Sequence, residues 1–187
     1  MSRKLRVSRR GLLRGTAGAA AFMILPRRVV GGPGQTPPSE TVYLASIGAG
    51  GRAAVDIREC VKVGARMAAL CDVDDRQAGK IYEEYPDLPR YTDFRKLLEK
   101  EKGIDGVIVG TPDHTHAVAG MAVMAHGKHL YCEKPLAHSI REIRALRDAA
   151  RKAKVATQLG NQGHASDYMR LLREWINDGA IGTVKEV

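Results

Sequence analysis

From Thr41 onward the chain alternates short apolar runs with longer stretches in which apolar residues recur every three or four positions. Val42–Ile47, Arg66–Cys71, Gly106–Val109, His129–Cys132 and Val155–Leu159 read as buried strands. Arg52–Val61, Asp74–Tyr85, Asp93–Lys102, Thr115–His126, Ser139–Lys152 and Ala165–Asp178 carry helical spacing, with Phe94, Leu97 and Leu98 on one face of the third. Ser139 with Glu142, and Asp74 with Gln77, are spaced as capping boxes. Gly179 stops the last helix, and Gly182–Val187 read as the beginning of a further strand. Short strands alternating with helices of this length predict an α/β fold: a Rossmann-type, doubly wound parallel sheet with helices on both faces. There is no internal repeat.

On such sheets ligands bind beyond the carboxyl ends of the strands, so the residues after each strand carry the functional expectations. After the first strand stands Gly48-Ala49-Gly50-Gly51-Arg52-Ala53, a G-x-G-x-x-A turn. Gly48 permits the tight turn, Gly50 lets backbone approach a pyrophosphate, and the small Ala53 lets helix and strand pack closely. Alone the pattern is weak; a strand before it, a helix after it and an acid about twenty residues on raise it. That acid is Asp72, placed to accept from ribose hydroxyls. A carboxylate there favours NAD over NADP, although Arg52 and Arg76 stand close in sequence.

Thr111 and Pro112 follow the Gly106–Val109 strand and are expected to line the cofactor groove. His114 and His116 are two apart, so on a helix they diverge and make a poor metal pair. After His129–Cys132 come Glu133, Lys134 and Pro135. A lysine at that strand end would face nicotinamide and substrate and could move a proton to or from a reacting hydroxyl, and the proline is a candidate for a cis peptide. Asn161, Gln162 and His164 follow the Val155–Leu159 strand; they either reach a substrate or open the next helix.

Charge changes the picture only at the N-terminus. The net charge of +9 suggests a nucleic-acid partner, but residues 1–30 hold eight arginines and lysines and no acid. The remainder has 22 basic and 21 acidic residues and lacks the basic face that phosphate binding requires. Ser8-Arg9-Arg10-Gly11-Leu12-Leu13, followed by an Ala/Gly/Leu-rich run, fits a twin-arginine export signal over residues 1–30. It predicts a periplasmic or extracellular protein, or one anchored by an uncleaved signal. Residues 31–40 are Pro/Gly-rich and read as a linker. Cys60, Cys71 and Cys132 show no metal or disulfide spacing and read as small buried hydrophobes.

Taken together, Ile47-Gly48-Ala49-Gly50-Gly51-Arg52, Cys71-Asp72-Val73-Asp74, Thr111-Pro112 with His116, and Glu133-Lys134-Pro135-Leu136-Ala137 resemble the glucose-fructose oxidoreductase / inositol dehydrogenase / MocA family. The resemblance runs from Thr41 to Val187. It implies a Rossmann domain over 41–164 and the start, at 165–187, of a C-terminal α+β domain before which the chain is cut. It further implies a homo-oligomeric NAD(P)-dependent oxidoreductase acting on sugars or polyols. Lys134 would be its catalytic lysine, and Gly48, Gly50, Gly51, Arg52, Asp72, Thr111, Pro112, His116 and Glu133 would be cofactor residues. Some members of the family are NAD-dependent glycoside hydrolases, and a non-catalytic binding module is the third reading. Where members often carry an Asn-Arg pair, this chain has Gln162-Gly163, so its substrate contacts there differ.

Overall fold

The computed structural model describes residues 37–186. The arginine-rich segment and most of the expected linker lie outside the described residues. Pro38–Glu40 form one 3-10 turn, and the body starts at Thr41.

In that body β1 (Tyr43–Ile47), β2 (Arg66–Cys71), β3 (Arg90–Tyr91), β4 (Gly106–Val109), β5 (His129–Glu133) and β6 (Thr157–Gly160) form one sheet in the order β3-β2-β1-β4-β5-β6. Each neighbouring pair is parallel. The helices are α1 (Gly51–Lys62), α2 (Asp75–Glu84), α3 (Phe94–Lys100), α4 (His116–Ala125), α5 (Ile140–Ala153) and α6 (Asp167–Asn177). The strand order reverses direction between β1 and β4, and the crevice at that point is where such sheets take a ligand.

Two apolar layers hold the sheet between helices. Val107 and Val109 of β4 pack with Leu97 and Leu98 of α3, Val123 and Met124 of α4 and Leu146 of α5. Ile108, pointing the other way, packs with Ile57 of α1 and Ile81 of α2. Period-two alternation along a strand buried on both faces produces these two layers.

Several local expectations take a different form. Asp74 caps α2 by accepting from the Arg76 amide at 2.9 Å, without the reciprocal bond from Gln77. The Ser139–Glu142 box closes in both directions. Strand β3, only two residues long, carries no readable period, yet Leu70 and Asp72 donate to the Pro89 and Tyr91 carbonyls. Residues 182–186 form no strand, contrary to expectation: they pair with neither edge of the sheet, β3 or β6. Helix α6 leaves Tyr168, Leu171 and Trp175 exposed. Among the described residues no helix is long and apolar enough to cross a membrane.

Candidate functional site

Tight backbone packing shapes the carboxyl end of β1. Gly48 turns with φ +84°, and a Cβ there would lie 2.8 Å from the Gly110 carbonyl carbon at the end of β4. A Cβ on Gly50 would lie 2.5 Å from the Gln77 carbonyl oxygen, so this glycine also serves the packing of α2. Ala53 is fully buried, and its Cβ stands 2.6 Å from where a Gly110 side chain would begin. Helix α1 then opens with no side-chain cap. Its first amides remain for a ligand, and the helix dipole favours an anion there.

A groove of about 760 Å³ follows from this geometry. Gly48, Gly50, Gly51 and Arg52 line one part, Asp72 another, and Thr111 with Pro112 the wall across the switch point. Phe94 and Arg95 add a stacking surface, with the guanidinium 4.8 Å from the ring centroid. The sequence pattern marks Phe94 only as one of the apolar face of its helix, and Arg95 not at all.

Asp72 is tied into the turn. Its Oδ2 accepts from the Ala49 amide at 2.8 Å and the Gly50 amide at 3.3 Å, and its Oδ1 from the Asp74 amide at 3.0 Å. It therefore straps the loop it was expected only to face. The guanidinium groups around it already have carboxylates. Arg76 pairs with Asp74 at 3.2 Å, Arg95 with Asp93 at 3.3 Å, and Arg52 with Asp56 at 3.0 Å and Glu133 at 3.5 Å.

The remaining expected residues lie around the groove in other roles. His116 is buried, with Nδ1 2.7 Å from the Pro135 carbonyl and Nε2 2.7 Å from the Thr111 carbonyl, so it links two strand-end loops. The Lys134–Pro135 peptide is cis. Lys134 is exposed, and among the described residues only its backbone amide has a partner, Glu133 Oε2 at 3.3 Å. Asn161, just before the 3-10 turn after β6, and His164, on it, are exposed. Gln162 reaches inward and donates to the Tyr131 hydroxyl at 2.6 Å, to Asp56 Oδ1 at 3.2 Å and to Glu133 Oε1. Gly160 leaves the space that the Glu133 carboxyl fills.

Asp56, which no motif marks, is the second buried acid of this cluster, beside Glu133. Burial first, then the hydrogen bond and charge of Glu133, push its carboxyl up to about 7 against the pull of Arg52. Burial would also raise Glu133, but bonds from Gln162, Asp56 and the Lys134 amide hold it below the usual range. Cys71 and Cys132 are buried thiols pushed up to about 12 by burial, whereas Cys60 is half-buried.

Asp56 thus keeps its proton to a higher pH in the folded chain than the ordinary aspartate value of 3.8. Between those limits the unfolded chain releases its proton first, so stability falls as pH rises from 3.8 to about 7. Glu133 acts oppositely, but only near and below its ordinary value of 4.5. Urea unfolding at pH 5 and pH 8 is expected to give the higher midpoint at pH 5.

A doubly wound sheet with a glycine turn, an uncapped helix opening and an acid at the end of β2 defines a dinucleotide-binding Rossmann domain. Residues 43–161 match the GFO_IDH_MocA model, described as an oxidoreductase family with an NAD-binding Rossmann fold. The chain belongs to this family. Over 154 residues it is 30% identical to an inositol 2-dehydrogenase from Rubrobacter xylanophilus, covering 77% of this chain and 42% of that protein. Over 137 residues it is 36% identical to a glycosyl hydrolase family 109 protein from Porphyromonas gingivalis, covering 67% of this chain and 29% of that one. Its structure resembles an oxidoreductase from Agrobacterium radiobacter solved with NAD+, L-tartaric acid and magnesium. That match has a TM-score of 0.65 at 25% identity and covers 76% of this chain and 42% of the other. The chain spans less than half the length of these relatives.

Proposed function

We propose that this chain provides the cofactor-binding part of an oxidoreductase that moves a hydride between a sugar or polyol hydroxyl and NAD. The observation that carries the reading is the groove joining the glycine turn, the uncapped opening of α1, Asp72 and the Thr111–Pro112 wall. Gly50, Gly51 and Arg52 would hold the pyrophosphate. Asp72 would accept from the adenosine ribose, and Thr111 and Pro112 would flank the nicotinamide end. When bound, the nicotinamide supplies the hydride acceptor or donor. Lys134, whose ammonium has no partner among the described residues, is free to hold or pass the hydroxyl proton.

Fixed charge supports NAD over NADP. Asp72 would meet a 2′-phosphate with a carboxylate, and Arg76 and Arg95 are already paired with acids. Calorimetric titration of the chain is expected to show NADH binding, with NADPH at least about tenfold weaker, the size of one unfavourable charge contact near a protein surface. No heat from NAD, NADH, NADP or NADPH would remove the reading.

The 36% identical glycosyl hydrolase relative favours one second reading, glycoside cleavage that uses the bound NAD without net redox. Nitrophenol release from a nitrophenyl glycoside without NADH accumulation would favour it over polyol oxidation. We also propose export by the twin-arginine route, supported by Ser8-Arg9-Arg10 and the run that follows. Retention in the cytoplasm when Arg9 and Arg10 are both changed to lysine is the expected result. The family resemblance supports a homo-oligomeric whole protein, which light scattering would test.

A further inference from the structure

Behind the groove lies a cluster in which two acids face one arginine. Asp56 and Glu133 are both about 4% exposed, on α1 and at the end of β5. They share the same two donors, the Arg52 guanidinium and the Gln162 amide, so their carboxyl groups are neighbours. Two buried carboxylates against one guanidinium would leave a net charge of −1, which burial penalises heavily. Asp56 Oδ2 is also buried without a donor. A proton held on one of these neighbouring carboxyl groups would supply the donor that the pair lacks. One such proton would also neutralise the cluster.

We infer that Asp56 is a positioning residue of the dinucleotide site: it shares one proton with Glu133, and that shared proton ties the end of β5, hence Lys134, to the helix whose opening receives the pyrophosphate. Asp56 does not line the groove. It acts through Arg52, which does, and through Glu133, whose Oε2 accepts from the Lys134 amide. Other ionisable groups facing Asp56 are Cys60 on α1 and Tyr131 on β5, both raised and so neutral across the working range.

The inference rests on the dinucleotide reading above and predicts a pH dependence for it. While the proton is held, the cluster is neutral and Arg52 can turn part of its charge to the phosphates. When the proton leaves, the cluster gains a negative charge beside an anionic ligand, and the two carboxylates repel across the α1–β5 contact. Affinity for NADH should therefore weaken as pH rises through neutrality.

The test is calorimetric titration of the whole chain with NADH from pH 6 to pH 8.5, on wild type and on Asp56→Asn. The amide keeps the shape and hydrogen bonding of the uncharged acid. Wild type is expected to lose about fivefold in affinity over this range, the effect of one added like charge at a partly screened distance. Asp56→Asn should give one flat value. Two results overturn the inference while leaving the dinucleotide reading intact. One is a wild-type affinity that does not change between pH 6 and 8.5, which needs no variant to fold. The other is the same slope in Asp56→Asn as in wild type, which would assign the proton to another group. Absence of NADH binding at every pH removes both readings together.

Discussion

Gly48→Ala is expected to abolish measurable NADH binding and to lower the melting temperature of the chain by roughly 10 °C. Two penalties combine at this position. The backbone has φ +84°, a region that costs a residue with a Cβ about 1–2 kcal/mol more than glycine. The added carbon would also meet the Gly110 carbonyl group and the Thr111 amide at 2.8 to 2.9 Å, all of them backbone atoms. Backbone cannot swing aside as a side-chain tip can, so a packing cost of about 1–3 kcal/mol follows. Together these take a large share of an ordinary folding free energy. They also push apart β1 and β4, the strands that frame the groove. Gly51→Ala is the control. Its φ is +53°, but nothing lies within 4 Å of the added carbon. It should cost only about 1 kcal/mol. Thermal melts and NADH titrations of both variants separate a steric effect at the switch point from a general preference for glycine.

The second large effect is expected at Asp72. Asp72→Ala should weaken NADH binding by more than about tenfold, without creating NADPH binding, and should lower stability by about 2 kcal/mol. The carboxylate accepts three backbone amides, those of Ala49, Gly50 and Asp74. Bonds to a charged acceptor contribute about 1.5–3 kcal/mol each when fully shielded, and less at this half-buried site where water can replace them. Loss of the strap loosens the turn that would cradle the pyrophosphate, so any dinucleotide should bind worse. If Asp72 served the ribose alone, the variant would melt like wild type and gain NADPH. Melting curves and paired titrations with NADH and NADPH decide between the two.

Much of this architecture is legible from residue pattern. The long alternations give β1, β2, β4, β5 and β6 and all six helices within a few residues. Strand β3 escapes because two residues cannot display a period; it exists because β2 offers a free edge. The segment 182–186 errs the other way, since its composition suits a strand but pairing is a property of neighbours. The groove is legible because its residues follow strand ends in one fold. Asp56 is not, because it sits on α1 in the spacing of an ordinary helix. Its meaning comes only from Glu133, 77 positions later, and Gln162, 106 positions later. The same holds for His116, whose partner Pro135 lies on another loop. Spacing reveals what one element presents; it does not reveal what two elements share.

The contact between Ala53 and Gly110 carries a consequence for how such a chain can change over generations. Helix α1 and the end of β4 have room for one methyl group between them, and Ala53 supplies it. A side chain at 110 would lie 2.6 Å from the Ala53 Cβ and 3.1 Å from its Cα, so even glycine at 53 would leave it pressed on the backbone of α1. Position 110 is therefore closed to drift by backbone, whichever small residue stands at 53.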